Sequence, residues 1–81
     1  MKASEHVTIS VFGRDRKGGV AEATSFVFRA GGNIEELVEQ VTRREFYMTL
    51  VASWAPGKLD RRTLAPGLSE LGTRLKMEVL V

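Results

Sequence analysis

Asn33-Ile-Glu-Glu-Leu-Val-Glu-Gln-Val-Thr42 decides the fold, because two periodicities compete for it. Ile34, Leu37, Val38 and Val41 are spaced as one face of a helix, and Asn33 suits a helix N-cap. Leu37, Glu39 and Val41 also alternate with Val38 and Gln40, as in a strand. The next segment breaks the tie. In Phe46-Tyr-Met-Thr-Leu-Val-Ala-Ser-Trp54, Phe46, Met48, Leu50 and Ala52 share one face. Tyr47, Thr49, Val51 and Ser53 share the other, more polar face, which meets solvent or a partner. This evident strand needs a neighbour. A strand from about Glu36 to Arg43, turning at Arg43-Arg44-Glu45, supplies one, and we take it as strand.

Toward the N-terminus, Val7, Ile9 and Val11 alternate with Thr8 and Ser10, predicting a strand over about His6 to Phe12. The pattern breaks at Gly13, and a loop runs to Gly19. A helix follows over about Gly18 to Ala30, with Val20, Ala23, Thr24, Val27 and Ala30 as its apolar stripe. Phe26 and Phe28 flank that stripe, so at least one of them is only half covered. Gly31-Gly32 ends the helix as a left-handed cap does. Toward the C-terminus, Ala55-Pro-Gly-Lys58 is a turn. Leu64, Leu68, Leu71 and Leu75 form a helical stripe. Pro66 favours Thr63 over Asp60 as the N-cap, because proline is best tolerated in a first turn. Met77, Val79 and Val81 define a last strand over about Lys76 to Val81. The order is strand, helix, strand, strand, helix, strand. That is an α+β, ferredoxin-like βαββαβ plan: a four-stranded antiparallel sheet with two helices on one face.

With 81 residues, one domain over 1–81 is expected, and its core is marginal alone. Dimerisation is one remedy, and a homodimer is expected. The absence of cysteine removes disulfides, zinc–thiolate sites and thiol catalysis, and fits a cytoplasmic protein. No apolar run is long enough to span a membrane, and Met-Lys-Ala-Ser-Glu is too polar for a signal peptide. The net charge is only +2, with basic residues scattered among acidic ones, so neither a nucleic-acid partner nor a membrane is expected. The single histidine, His6, has no metal partner in view, and no catalytic or metal-ligating constellation is present. No cofactor is implied, and the chain reads as a non-enzyme.

This plan hosts many functions, so the residues must choose among them. An RNA-recognition domain stacks bases on aromatics of its two central strands. Here the third strand offers Phe46, Tyr47 and Trp54 without a glycine-rich basic octamer, and the first offers only Phe12. A metal chaperone would carry paired cysteines in the first loop. An acylphosphatase-like enzyme would cradle phosphate there, and Gly13-Arg14 with Gly18-Gly19-Val20 is faintly similar. Asp15 opposes an entering anion, however, and the third strand has no asparagine.

The loop Gly13-Arg14-Asp15-Arg16-Lys17-Gly18-Gly19-Val20 resembles the Gly-x-Asp-Arg-Pro-Gly-hydrophobic-hydrophobic signature of the ACT domain family. Gly31-Gly32-Asn33-Ile34 is similar to that family's Gly-x-Asn-Ile element, and Phe46-Tyr-Met-Thr-Leu-Val51 to its Phe-x-Met-x-Leu strand. The ordered set spans nearly the whole chain. It looks like a free-standing ACT protein of the glycine-cleavage repressor type. The resemblance implies strand for Asn33–Thr42 and a regulatory module that binds an amino acid between subunits. The first loop of one chain then meets the second strand or helix start of its partner. The ligand residues so implied are Gly13, Asp15, Arg16, Gly18, Gly19, Asn33 and Ile34. Loop N–H groups and the helix dipole would receive a carboxylate, and Asp15 or backbone carbonyls an ammonium. Asp15 can equally cap the helix, the glycines can simply shape the turn, and Asn33 can simply serve the helix-to-strand turn. Two departures stand out: Lys17 replaces the usual proline, and Gly19 replaces a bulky aliphatic residue, which opens room beside a ligand. The two functional readings are a homo-oligomeric amino-acid sensor and a protein-interaction module with a vestigial site. The acylphosphatase-like enzyme is the third.

Overall fold

The computed structural model describes residues 4–14 and 18–81. Six elements follow in order: β1 Glu5–Arg14, α1 Gly19–Arg29, β2 Asn33–Thr42, β3 Glu45–Trp54, α2 Arg61–Leu75 and β4 Glu78–Leu80. The four strands form one antiparallel sheet in the order β2-β3-β1-β4. This is the βαββαβ arrangement expected from the periodicities, and the disputed segment is a strand.

The alternation in the sequence becomes the two sides of the sheet. Val7, Ile9 and Val11 of β1 and Phe46, Met48, Leu50, Ala52 and Trp54 of β3 turn toward the helices and are buried. Ala23 and Val27 of α1 and Leu64, Leu68, Leu71 and Leu75 of α2 close over them. Of the two phenylalanines flanking the α1 stripe, Phe26 is half-buried and Phe28 is 79% exposed.

Several boundaries differ from the sequence expectation, each for a local reason. β1 continues through Gly13 to Arg14, because both residues stay paired with Phe46 and Glu45. β2 begins at Asn33, ahead of Glu36, with a bulge between Ile34 and Glu36. α2 is capped by Asp60 and not by Thr63. The Asp60 Oδ1 accepts from the Arg62 N–H at 3.0 Å, which leaves Pro66 in the second turn. β4 is limited to Glu78–Leu80, because Lys76 turns left-handed at φ 57° and the Met77 N–H bonds back to the Gly72 carbonyl. The end of α1 matches expectation. Gly31 adopts φ +85°, and the N–H groups of Gly31 and Gly32 return to Phe28 and Val27, a Schellman closure.

The β2–β3 hairpin turns on Arg43 at φ 50° and Arg44 at φ 69°. Two successive left-handed residues make the tight turn that follows the natural twist of a hairpin. The helices cover β1 and β3, and β2 is bare beyond Ile34, which packs at the edge of the core. Leu37 and Val41 on its helix side, and Val38 on the other, are all exposed.

Candidate functional site

The sequence-predicted residues fall in two groups. The first lies where β1 enters α1. Gly18 is the N-cap residue of α1 at φ 85°, without a capping side chain. The positive end of the α1 dipole is therefore not covered by a cap at that position, as an anion-binding role requires. Its carbonyl accepts from the Glu22 N–H at 2.8 Å. Gly19 is buried, and a methyl placed on it would touch the Met77 methyl at 3.7 Å and the Phe46 ring at 3.8 Å. Gly13 is packed more tightly: a methyl there would lie 3.0 Å from Met77 Cγ. Asp15 and Arg16, with the ammonium-holding and capping roles considered for Asp15, lie outside the described residues.

The second group lies at the other end of α1. Asn33 and Ile34 open β2 and line a cleft of about 540 Å³ with Phe28, Ser25 and Thr24. The Asn33 amide donates to Glu35 Oε1 at 3.0 Å, and Ser53 Oγ donates to the same oxygen at 2.6 Å. Those bonds from Ser53 and then Asn33 hold the Glu35 carboxyl below its usual pKa. Sequence reasoning missed Glu35, because only the bulge turns its side chain toward Ser53.

Within one chain the two groups do not meet. Gly13 pairs with Phe46 and Asn33 pairs with Ser53, at opposite ends of β3. Seven strand positions correspond to about 24 Å at the rise of an antiparallel strand.

A further cleft, of about 380 Å³, lies between the helices. Phe26, Trp54 and Leu64 form its apolar wall. Its width reflects packing: the Phe26 ring lies against Gly67, and the Trp54 indole N–H is already bound to the Ala30 carbonyl at 2.9 Å. Among the described residues no group of three or more His, Asp and Glu side chains is placed to hold a metal ion. No helix among them is long and apolar enough to cross a membrane.

The described residues thus form an antiparallel ferredoxin-like sheet, with no capping side chain at the N-cap residue Gly18 of α1. No family model matches the sequence. An ACT domain protein of Streptococcus pneumoniae superimposes with a TM-score of 0.81 at 27% identity, over 96% of this chain and 86% of that one. A protein assigned as a glycine cleavage system transcriptional repressor gives a TM-score of 0.83 at 24% identity. That match covers 98% of this chain but 45% of that protein. A UPF0237 protein of Methanocaldococcus jannaschii is 29% identical over 75 residues, which is 93% of this chain and 83% of that protein. The chain thus has the ACT-domain fold along its described length, as its motifs implied.

Proposed function

We propose that this chain is a homo-oligomeric regulatory domain of amino-acid metabolism in the cytoplasm, binding a free amino acid at a site shared between two copies. The observation that carries the reading is the separation of the two groups of site residues, together with the bare β2 edge. Gly13 and Asn33 pair at opposite ends of β3, so a site that uses both groups takes one from each of two copies. β2 offers ten residues with an unpaired edge and exposed Leu37, Val38 and Val41. Such an edge is a template for pairing. Its start carries Glu35 and Glu36, and its tip Arg43 and Arg44. Antiparallel pairing of β2 with its own copy sets acid against base at both ends, as a two-fold interface must. It also carries Asn33 and Ile34 of the partner subunit toward Gly18 and Gly19 of the first. There the helix dipole receives the carboxylate, and Asp15 receives the ammonium.

The chain has no cysteine, so single cysteines report the axis cleanly. Among Leu37→Cys, Val38→Cys and Glu39→Cys, at least one should form an interchain disulfide on mild oxidation, because only facing residues come within bonding range. Ser10→Cys, on the open sheet face, should not. Crosslinking through Ser10→Cys alone would overturn the edge-paired dimer. Asp15→Ala should abolish amino-acid binding and leave the dimer intact. Unchanged affinity would remove Asp15 from the site.

Two observations favour a second reading, an interaction module with a vestigial site. Asn33 is already engaged with Glu35, and Gly13 lies close against Met77, where an added Cβ would fall 3.0 Å from Cγ. A dimer indifferent to every amino acid would establish that reading instead.

A further inference from the structure

Phe12 and Tyr47 sit directly opposite each other on β1 and β3, the two central strands of the sheet. Their ring centroids are 6.4 Å apart and their planes 28° from parallel. Both stand on the face away from the helices, since their neighbours Val11, Phe46 and Met48 point into the core. Tyr47 is 48% exposed. Thr49 and Ser10 lie one row further along the same face. Arg14 shares this face in the next row, opposite Glu45, and Arg43 and Arg44 extend beyond it at the hairpin tip.

We propose that this open sheet face binds single-stranded nucleic acid, with Phe12 and Tyr47 as a two-ring stacking platform and Arg14, Arg43 and Arg44 receiving backbone phosphates. Aromatic rings on neighbouring strands with a basic flank form the general arrangement by which open sheets and grooves hold single strands. The sequence counts against it, because the third strand lacks a glycine-rich basic octamer and the first offers only Phe12. In the fold Phe46 and Trp54 are core residues, and the platform is the pair Phe12 and Tyr47. Glu78 lies beside Phe12 on β4, so the phosphate path follows the hairpin side. A small molecule fits the face poorly, since small-molecule sites are concave and enclose their ligand. The same face carries Val51 beside Thr8, Leu80 beside Ser10 and Val38 beside Thr49, so a second copy is the competing occupant that the test separates. The proposal does not rest on the amino-acid site, although it draws on Arg43 and Arg44, which the edge-paired dimer also uses.

The test is fluorescence anisotropy with labelled eight-nucleotide oligo-U and oligo-dT, and a duplex of the same length, at low and moderate salt. The wild-type chain should prefer the single strands. Tyr47→Ala and Phe12→Ala should each weaken binding by about 5- to 150-fold, the usual loss for one stacked base. Tyr47→Phe should bind like wild type, and Arg14→Gln should lower the salt dependence by about one phosphate contact. On the wild-type protein, the ring resonances of Tyr47, the only tyrosine, should move upfield on addition of oligo-U. No binding at low salt, equal binding of duplex, or binding untouched by Tyr47→Ala would overturn the proposal. So would a Tyr47→Ala variant that dissociates a dimer, since the face would then be a subunit interface.

Discussion

Three glycines surround the start of α1, and the structure assigns each a different consequence when a methyl is added. At Gly19 the new Cβ meets Met77 and Phe46 at 3.7 to 3.9 Å, which is ordinary contact, and the backbone is not left-handed. Gly19→Ala should stabilise the free protein by about 1 kcal/mol, from a less flexible unfolded chain and one buried methyl. For a domain of this size that raises Tm by about 4–8 °C. At Gly18 the φ of +85° makes alanine strained despite open space, so Gly18→Ala should lower stability by about 1–2 kcal/mol. At Gly13 the Cβ falls 3.0 Å from Met77 Cγ and 3.3 Å from the Met77 Cα, so Gly13→Ala should cost about 1–3 kcal/mol. Calorimetry at one fixed protein concentration orders the three, since Tm of an oligomer depends on concentration. The functional part is the contrast. Gly19→Ala fills the room beside Phe46, so the more stable variant should lose stabilisation by amino acids. A Gly19→Ala protein that melts lower than wild type would refute the packing argument. One that melts higher and still responds to amino acids would remove this niche from the ligand site.

Three further outcomes follow from local geometry. Arg43 and Arg44 pay for a left-handed turn without the residues that favour it, so the double substitution R43N/R44G should raise stability by about 1–2 kcal/mol in urea unfolding. A methyl on Gly67 would fall 2.6 Å from the Phe26 ring; Gly67→Ala should therefore push the half-buried ring outward and cost about 1–3 kcal/mol, lowering the urea midpoint without changing the slope. Glu35 has a depressed pKa in the fold, so its contribution is fully present above the ordinary glutamate pKa and is lost as pH falls below it through the folded value. Carboxyl NMR titration should show Glu35 titrating below an ordinary glutamate, and Ser53→Ala should move it back up.

The fold was legible because its strongest signals are periodic. The alternation of Phe46 to Ala52 and the leucine stripe of α2 each bury the face they mark. β2 was ambiguous for a physical reason. An edge strand with both faces exposed has no burial to impose a period of two, and its apolar residues drift toward helical spacing. The Asp60 cap was misjudged because Pro66 was held to a first turn, whereas the second turn accommodates it. In the candidate site, the glycine turn and the Asn33-Ile34 element were visible as motifs. That they stand at opposite ends of β3 was not, since only the strand register measures that distance. The Glu35–Ser53 bond spans 18 positions and depends on a bulge that no local pattern announces. Phe12 and Tyr47 were each noticed, but their pairing is again a fact of register.

The central claim is an amino-acid site that requires two copies. A thermal-shift screen against the proteinogenic amino acids, run beside sedimentation equilibrium, tests it most directly. A ligand confined to the folded state adds about 2.7 kcal/mol at a hundredfold excess over its Kd, well above the detection limit for a domain of this size. The account predicts a dimer whose Tm rises with one or a few amino acids. A stable monomer, or a dimer that no amino acid stabilises, would contradict it.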